Sequence, residues 1–244
     1  MQVVDKGLVL RETSYKDSDV ILTILTECCG KVSVLARGAR QKSSRFTAAI
    51  QLLTYSEFSL FESRGMYTLN EADPIEMFYG IRKDIVKLSL ASYFAEVLEQ
   101  AADEESINPE LLRLGLNSVY ALANTSCDVK KLKAVFEIKV AALSGYCPSV
   151  FSCAGCGNCE DICEFDIQNG AVYCKDCAGG GNMRIDPSTA DAMRYIIASD
   201  IKKIFSFSIG QKSLDRLSRA AEEYLTVHFD RTFKTNTFFK SICN

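Results

Sequence analysis

Six of the eleven cysteines in this 244-residue chain lie within one stretch of 25 residues, and four of them form two pairs. The pairs are Cys153-Ala-Gly-Cys156 and Cys174-Lys-Asp-Cys177, and 17 residues separate them. This spacing is typical of a zinc site, in which each pair holds one side of a tetrahedral ion at a Zn–S distance of about 2.3 Å. Four thiolates also fill the coordination shell, so no position stays open for a substrate. We therefore predict one structural zinc ion per chain, held by Cys153, Cys156, Cys174 and Cys177.

Two further cysteines in the same stretch leave alternatives open. Cys159 forms a formal C-x2-C pair with Cys156, and Cys163 follows four residues later. That pairing would leave Cys153 without a role, so we prefer the first assignment, although Cys159 or Cys163 could substitute as a ligand. The other cysteines lie in apolar sequence contexts, and we expect them to be small core residues: Cys28, Cys29, Cys127, Cys147 and Cys243.

A β-hairpin between the two pairs would bring them together. Residues 165–168 and 171–173 are short strand-like runs, and Asn169-Gly170 joins them. This dipeptide is a strong hairpin signal, because both central residues of the corresponding two-residue turn have positive φ. The sequence therefore predicts a zinc-binding module over residues 147–182.

Residues 31–45 carry five positive charges and no acidic residue. The whole chain has a net charge of −3, so the rest of it carries −8. A basic island on an acidic protein indicates a localised anion site. Its cations alternate with serines and small residues, which suits contacts with nucleic-acid phosphates, whereas the alternative is a solvated charged loop. The candidate DNA-binding residues are Lys31, Arg37, Arg40, Lys42 and Arg45.

No arrangement of catalytic residues is recognisable. The one histidine, His228, lies in a helical segment, and we expect it to be packed or at a helix end rather than to act as a general base. The motifs G-x-x-x-x-G-K-[ST], G-x-G-x-x-G and G-x-S-x-G are absent from the sequence. We therefore predict a binding protein and not an enzyme.

The first 80 residues are predicted to form a barrel that carries the basic island. Five short strands in about 80 residues suit a small closed barrel of the OB type. Alternation places Phe58 and Leu60 on one face of a strand and Tyr55 and Phe61 on the other, and one face must fill the barrel. The predicted strands are β-branched or alternating runs: Val3–Leu10, Val20–Leu25, Lys31–Ala36, Thr54–Phe61 and Met66–Leu69.

From residue 81 the apolar residues recur with a helical period. The sequence therefore predicts an α+β protein, with an OB-fold domain over 1–80 and a helical domain with the zinc module over 81–244. Asn108 and Pro109 are predicted to begin one helix, and Ser188 is predicted to cap a later one. The last long helix carries an apolar stripe: Leu214, Leu217, Ala221 and Leu225.

The N-terminal segment carries charges throughout and has no apolar core of a signal peptide. No uncharged run approaches the ~18 apolar residues that a membrane span needs. We therefore expect a cytoplasmic protein that does not engage a membrane.

Motifs in order along nearly the whole chain point to a family. The N-terminal part contains Ser18-Asp-Val-Ile-Leu-Thr-Ile-Leu-Thr-Glu27 and then Ala36-Arg-Gly-Ala-Arg40-Gln-Lys42-Ser. Leu143-Ser-Gly-Tyr-Cys-Pro148 precedes the first cysteine pair, and Tyr224-Leu-x-Val-His228 lies near the C-terminus. Together these motifs resemble the RecO family of bacterial recombination mediators.

The resemblance implies an OB-fold, a helical domain with a zinc module, and a non-enzymatic, nucleoid-associated role in recombinational repair. It implies binding of single- and double-stranded DNA, annealing of complementary strands, and cooperation with RecR and the single-stranded-DNA-binding protein (SSB), so that RecA can load. A basic groove in the helical domain would suit the acidic C-terminal tail of SSB. The candidate residues, beside Leu214 and Leu217, are Lys202, Lys203, Lys212, Arg216 and Arg219. The alternative is a zinc-ribbon transcriptional or scaffold protein whose basic island is only a solvated loop.

Overall fold

The computed structural model describes residues 1–63, 65–104 and 106–243. They form two compact units. The first runs from Met1 to Thr125 and also takes in the segment from Phe233 onwards, and the second is Ser126–Thr232. The domain boundary at residue 80 stays a prediction. The last barrel strand ends at Glu76, whereas the first compact unit continues along the chain to Thr125.

The first unit contains a closed five-stranded barrel with the strand order β1-β2-β3-β5-β4. All neighbouring strands are antiparallel except β3 and β5, which pair in parallel at Val34–Tyr67 and Leu35–Thr68. The strands are β1 (Gln2–Tyr15), β2 (Asp19–Thr26), β3 (Lys31–Ala36), β4 (Tyr55–Ser63) and β5 (Met66–Glu76). The predicted OB-type barrel is therefore confirmed.

The barrel core comes from the inward residues of each strand. Phe58 and Leu60 are fully buried, whereas Phe61 on the other face of β4 is 52% exposed, as the alternation predicts. Gly7 lets β1 and β2 approach closely, because a Cβ at this position would lie 2.6 Å from a methyl carbon of Ile24. Fully buried aliphatic residues of β2 and β3, including Leu22, complete the core.

The described residues of the same unit also form four helices. They are α1 (Tyr79–Arg82), α2 (Ile85–Ala101), α3 (Pro109–Asn124) and α7 (Lys234–Cys243). The side chain of Asn108 accepts a hydrogen bond from the backbone N–H of Leu111, and Pro109 is the first residue of α3, which confirms the predicted cap. Helix α7 packs against α2, where Glu96 accepts a hydrogen bond of 3.1 Å from the backbone N–H of Thr235.

The second unit consists of three helices, a short 3-10 helix at Ile201–Lys203 and a small sheet. The helices are α4 (Val129–Leu143), α5 (Pro187–Ala198) and α6 (Gln211–His228), and the strands are β6 (Ile162–Asp166), β7 (Ala171–Cys174) and β8 (Met183–Arg184). The predicted stripe on α6 is buried, with each of its four residues at most 3% exposed.

The predicted cap of α5 is wrong. The helix begins two residues earlier than a cap at Ser188 allows, because the carboxylate of Asp186 accepts a hydrogen bond of 2.8 Å from the N–H of Thr189. Pro187 occupies the first helical position, where its missing N–H costs nothing.

Among the residues that the structure describes, no helix combines the length and the apolar composition needed to cross a lipid bilayer.

Candidate metal centre and candidate nucleic-acid loop

The two cysteine pairs meet across a hairpin formed by β6 and β7. Cys174 ends β7 and pairs with Ile162 of β6. The connecting loop has four residues, Ile167–Gly170, instead of the predicted two-residue turn, and Gly170 has a φ of +62° while Asn169 is not among the positive-φ residues. A Cβ at Gly170 would lie 2.6 Å from the hydroxyl oxygen of Tyr224, so close packing also favours glycine there. The hairpin was predicted correctly, but its turn type was not.

The sulfur atoms of the four predicted ligands lie within 4.8 Å of one another. Four sulfurs around one tetrahedral ion with Zn–S bonds of about 2.3 Å lie roughly 3.8 Å apart, which falls within this limit. The sulfurs of Cys156 and Cys174 are 3.6 Å apart. The first pair is shaped by a tight turn in which Gly157, with a φ of +77°, donates its N–H to the carbonyl of Cys153 at 2.8 Å. The second pair is closed by a 3.1 Å bond from the N–H of Cys177 to the carbonyl of Cys174. The cluster could therefore hold a metal ion.

Backbone donors prepare part of this cluster for a cation. The N–H of Cys174 lies 3.3 Å from the sulfur of Cys153, and this bond lowers the pKa of Cys153 to about 6, which favours the thiolate. Hydrogen bonding with the neighbouring sulfur atoms, first of all that of Cys156, raises the pKa of Cys177 to about 12, because these contacts hold the proton on its thiol. Four soft sulfur donors and no oxygen or nitrogen donor in the group fit zinc or another thiophilic ion.

The other cysteines lie outside this group. Cys159 is exposed and Cys163 is half-buried. The prediction that the remaining five are core residues is wrong, because Cys28, Cys147 and Cys243 are exposed and Cys29 and Cys127 are only half-buried. Short turns and chain ends place them at the surface, and an apolar neighbour in sequence does not imply burial.

The basic island covers β3 and the first half of the connection to β4. This connection is anchored on the barrel by buried apolar residues: Ala39, Phe46, Ala49, Ile50 and Leu53. Its first turn is also held by the β1–β2 turn, because Gly38 donates its N–H to Asp19 at 2.8 Å and Arg40 donates its N–H to the carbonyl of Ser18 at 2.9 Å. The backbone that carries the cations is thus fixed at several points.

The structure divides the five candidate cations into two groups. Arg37, Arg40 and Lys42 are exposed, and their side chains form no ion pair or hydrogen bond within the described part of the chain. The amine of Lys31 donates to the carbonyl of Glu99 in the last turn of α2, at 2.9 Å. Arg45 donates to the carbonyl of Asn70 at 2.6 Å and lies 5.1 Å from the ring of Phe46. Three cations are therefore available to a ligand without breaking an existing contact.

Comparison with known families gives two matches that together run along nearly all of the chain. The Recombination protein O N terminal family matches residues 1–78, and the Recombination protein O C terminal family matches residues 82–237. The chain belongs to the RecO family. The barrel and the helical region that follows it correspond to these two matches.

Several curated relatives are named DNA repair protein RecO. The protein of Acetivibrio thermocellus is 34% identical over 239 residues, which cover 97% of this chain and 95% of the relative. That of Alkaliphilus metalliredigens is 30% identical, with 95% of each chain covered. A Listeria monocytogenes protein is 28% identical and is covered to 93%.

The candidate partner-binding residues lie at two places in the second unit. Lys202 and Lys203 are exposed on the 3-10 helix, and Lys212 is exposed on the first turn of α6. Arg216 forms an ion pair with Asp186. Arg219, in turn, pairs with Glu223 at 2.7 Å. The predicted apolar neighbours Leu214 and Leu217 are 3% and 0% exposed, so their side chains belong to the core and not to a groove.

His228 ends α6 and is packed, as predicted. Its ring centroid lies 4.1 Å from that of Tyr224 and 5.4 Å from that of Tyr146, and its Nε2 lies 3.1 Å from the carbonyl oxygen of Ile167. Sequence reasoning missed Arg184, which lines a surface pocket with Arg216. A single arginine shortly after a run of three glycines carries no sequence signal, since only the fold brings it to α6.

Proposed function

We propose that this RecO-family protein is a non-enzymatic mediator of DNA repair and recombination. It binds single- and double-stranded DNA, anneals complementary strands and, together with RecR, helps to load RecA onto single-stranded DNA covered by SSB. It acts in the cytoplasm, at the nucleoid. The family membership supports the general role, and the exposed cations of the loop after β3 support the contact with DNA.

The observation that carries the DNA-binding proposal is the set of three unengaged cations on a loop that is anchored to an OB-type barrel. Arg37, Arg40 and Lys42 project from this loop, and residues 31–45 contain no acidic side chain that would repel phosphates. With a net charge of −3, the protein as a whole does not attract DNA at long range, so the contact must be local. Lys31 and Arg45 are proposed to join it only after giving up their present contacts.

The same loop explains tolerance of any DNA sequence. Arginine and lysine side chains at a strand end contact the phosphate backbone, which is the same for every base. A protein that anneals complementary strands must accept any pair of them, so a contact without base readout suits this role.

We propose zinc as the ion held by Cys153, Cys156, Cys174 and Cys177, with a structural role. Four sulfur ligands leave no open coordination position, so the ion would supply folding energy and no reaction chemistry. The chain's own contribution is to fix the two cysteine pairs on the turns around the β6–β7 hairpin. Neither Cys159 nor Cys163 is needed to complete the set.

RecR and the acidic tail of SSB are proposed as protein partners on the strength of the family alone. Lys202, Lys203 and Lys212 remain the candidate residues for the tail, together with Arg216 and Arg219. Because the leucines beside them are buried, these residues would offer the tail charge but little apolar surface.

The test is a variant in which Arg37, Arg40 and Lys42 are all replaced by alanine. Each phosphate neutralised on a single strand contributes about −0.7 to the slope of log K against log salt. The three cations together contribute about −2, which corresponds to a roughly 20-fold fall in affinity between ~50 and ~200 mM salt. All five candidates would give about −3.5, so the parent slope also shows whether Lys31 and Arg45 take part.

A matched control replaces three other exposed cations of the same unit by alanine: Lys83, Arg113 and Lys234. We expect the loop variant to lose about two units of slope and to anneal bare oligonucleotides more slowly, while the control behaves as the parent. A loop variant that keeps the parent's salt slope refutes the DNA contact. Absence of any annealing by the parent protein favours the alternative of a zinc-ribbon scaffold.

A further inference from the structure

Three arginines from two distant parts of the sequence line one open pocket on the second compact unit. Arg184 comes from β8, and Arg216 and Arg219 come from successive turns of α6. Asn182, Met183 and Asp215 complete the lining. Three guanidinium groups and one carboxylate line this small surface. Counted together with Asp186 and Glu223, which pair with two of the arginines, and with Lys130, which pairs with Asp215, it carries a charge of +1, although the whole protein is acidic.

The acidic groups around the pocket are already engaged. Asp215 accepts hydrogen bonds from Lys130 at 2.8 Å and from Gln211 at 3.1 Å. Asp186 pairs with Arg216 and also caps α5, and Glu223 pairs with Arg219. Arg216 and Arg219 would therefore bind an anion only by sharing or exchanging these partners. Arg184 is exposed and forms no ion pair within residues 106–243, so its guanidinium is free to bind an anion.

The lining favours a phosphate group over an acidic, partly apolar peptide. Arginine presents planar pairs of N–H donors that match the oxygens of a phosphate, and the side-chain amide of Asn182 offers another donor. Met183 is the one apolar residue of the lining, and Leu214 and Leu217 of α6 face the core. A peptide with apolar side chains would thus find little surface to cover.

The cysteine module positions Arg184. Strand β8 pairs with β6, where Arg184 lies opposite Glu164, and β6 pairs with β7, which ends at Cys174. The buried carboxylate of Glu164 also accepts a hydrogen bond of 3.2 Å from the N–H of Gly180, in the segment that leads to β8. The metal centre, the hairpin and the arginine are therefore parts of one small structure.

We propose that the pocket formed by Arg184, Arg216 and Arg219 binds the phosphodiester backbone of DNA, as a second contact in addition to the loop after β3. The proposal rests on the proposed function, because it names a further surface for the same ligand. It gives the cysteine module a role in DNA binding, namely to hold an arginine against α6. An annealing protein gains from two such surfaces, since it must bring two backbones together.

The test replaces Arg184 and Arg219 by alanine and leaves Arg216 in place, because Arg216 pairs with the residue that caps α5. The control is Lys175→Ala, which removes an exposed cation of the same module that does not line the pocket. Zinc content and melting temperature are measured for both variants, to confirm that the module is intact. Binding of a single-stranded oligothymidine is then titrated at several salt concentrations, and binding of a synthetic acidic tail peptide at one.

Loss of two phosphate contacts makes the slope of log K against log salt less steep by about 1.4 units. At ~0.1 M salt, taking ~1 M salt as the reference, this corresponds to an affinity loss of about 25-fold. We expect this loss for the double variant and parent behaviour for Lys175→Ala. A parent-like DNA slope overturns the proposal, and if peptide affinity falls while that slope is unchanged, the pocket is a peptide site. The variant of the loop after β3 distinguishes failure of this proposal from failure of the proposed DNA-binding function. Its loss of slope is expected whether or not the arginine pocket binds DNA.

Discussion

Replacing Cys174 by serine removes one sulfur from the four-cysteine cluster and leaves the hairpin sequence otherwise intact. Serine is nearly isosteric with cysteine, but its neutral hydroxyl is a poor ligand for a thiophilic ion. Cys174 is 2% exposed and ends β7, so its sulfur is held inside the cluster. We expect the variant to contain no stoichiometric zinc, whereas the parent protein contains one ion per chain.

The size of the effect follows from how little apolar core the module has. The main buried apolar side chains of the β6–β7 hairpin are Ile162, Phe165 and Val172, at 2%, 0% and 0% exposure. At about 1.5–3 kcal/mol each they contribute roughly 5–9 kcal/mol. A structural zinc ion contributes an apparent ~10–16 kcal/mol, which is the larger of the two. Without it, residues 147–182 should lose protection against hydrogen exchange.

The assay is metal analysis of the purified variant, together with hydrogen exchange followed by mass spectrometry. Peptides from the hairpin should exchange faster in the variant, while peptides from β2 and β3 keep their protection, because the barrel has its own core. Cys159→Ser and Cys163→Ser are matched controls that make the same chemical change in the same segment. Unchanged zinc in Cys174→Ser, or zinc lost in either control, would refute the ligand assignment.

The remaining predictions concern two buried charged residues. The amine of Lys133, which is 3% exposed, lies 2.6 Å from Glu137 and 2.8 Å from Glu222. Lys133→Ala should lower the free energy of unfolding in urea titrations by about 3–5 kcal/mol, because it leaves buried carboxylate charge uncompensated. Burial alone would lower the pKa of Lys133, but the two glutamates raise it above its unfolded value. Its stabilising contribution is thus complete below pH ~10.4 and is lost at more alkaline pH. The gap in melting temperature between the parent and Lys133→Met should therefore shrink as the pH rises through this range. Asp5, which is 4% exposed, accepts hydrogen bonds of 3.0 Å from the N–H groups of Cys28 and Cys29 in the β2–β3 turn. Asp5→Ala should lower the free energy of unfolding by about 1–3 kcal/mol in the same titration. A change near zero would show that water replaces the carboxylate.

The strands and most helices follow from patterns in the sequence. Alternation along β4 identified Phe58 and Leu60 as one face, and Asn108-Pro109 marked the start of α3, because capping chemistry depends on neighbouring residues only. The cap of α5 was misplaced for a related reason. Asp186 and Ser188 are both good caps, and the choice between them depended on the position of Thr189 and on the ion pair of Asp186 with Arg216.

The sequence alone identified the four cysteines that the fold brings together, since the C-x2-C pairs and the glycine-bearing turns around them are local features. It also determined where the cations of the loop lie along the chain. Which of those cations are available depends on the fold. Lys31 is held by the carbonyl of Glu99 and Arg45 by that of Asn70, and both partners are remote in sequence. The same holds for Arg184, which reaches α6 only when the hairpin is folded. Local chemistry can be read from spacing, whereas the availability of a charge depends on every group that the fold brings within hydrogen-bonding distance of it.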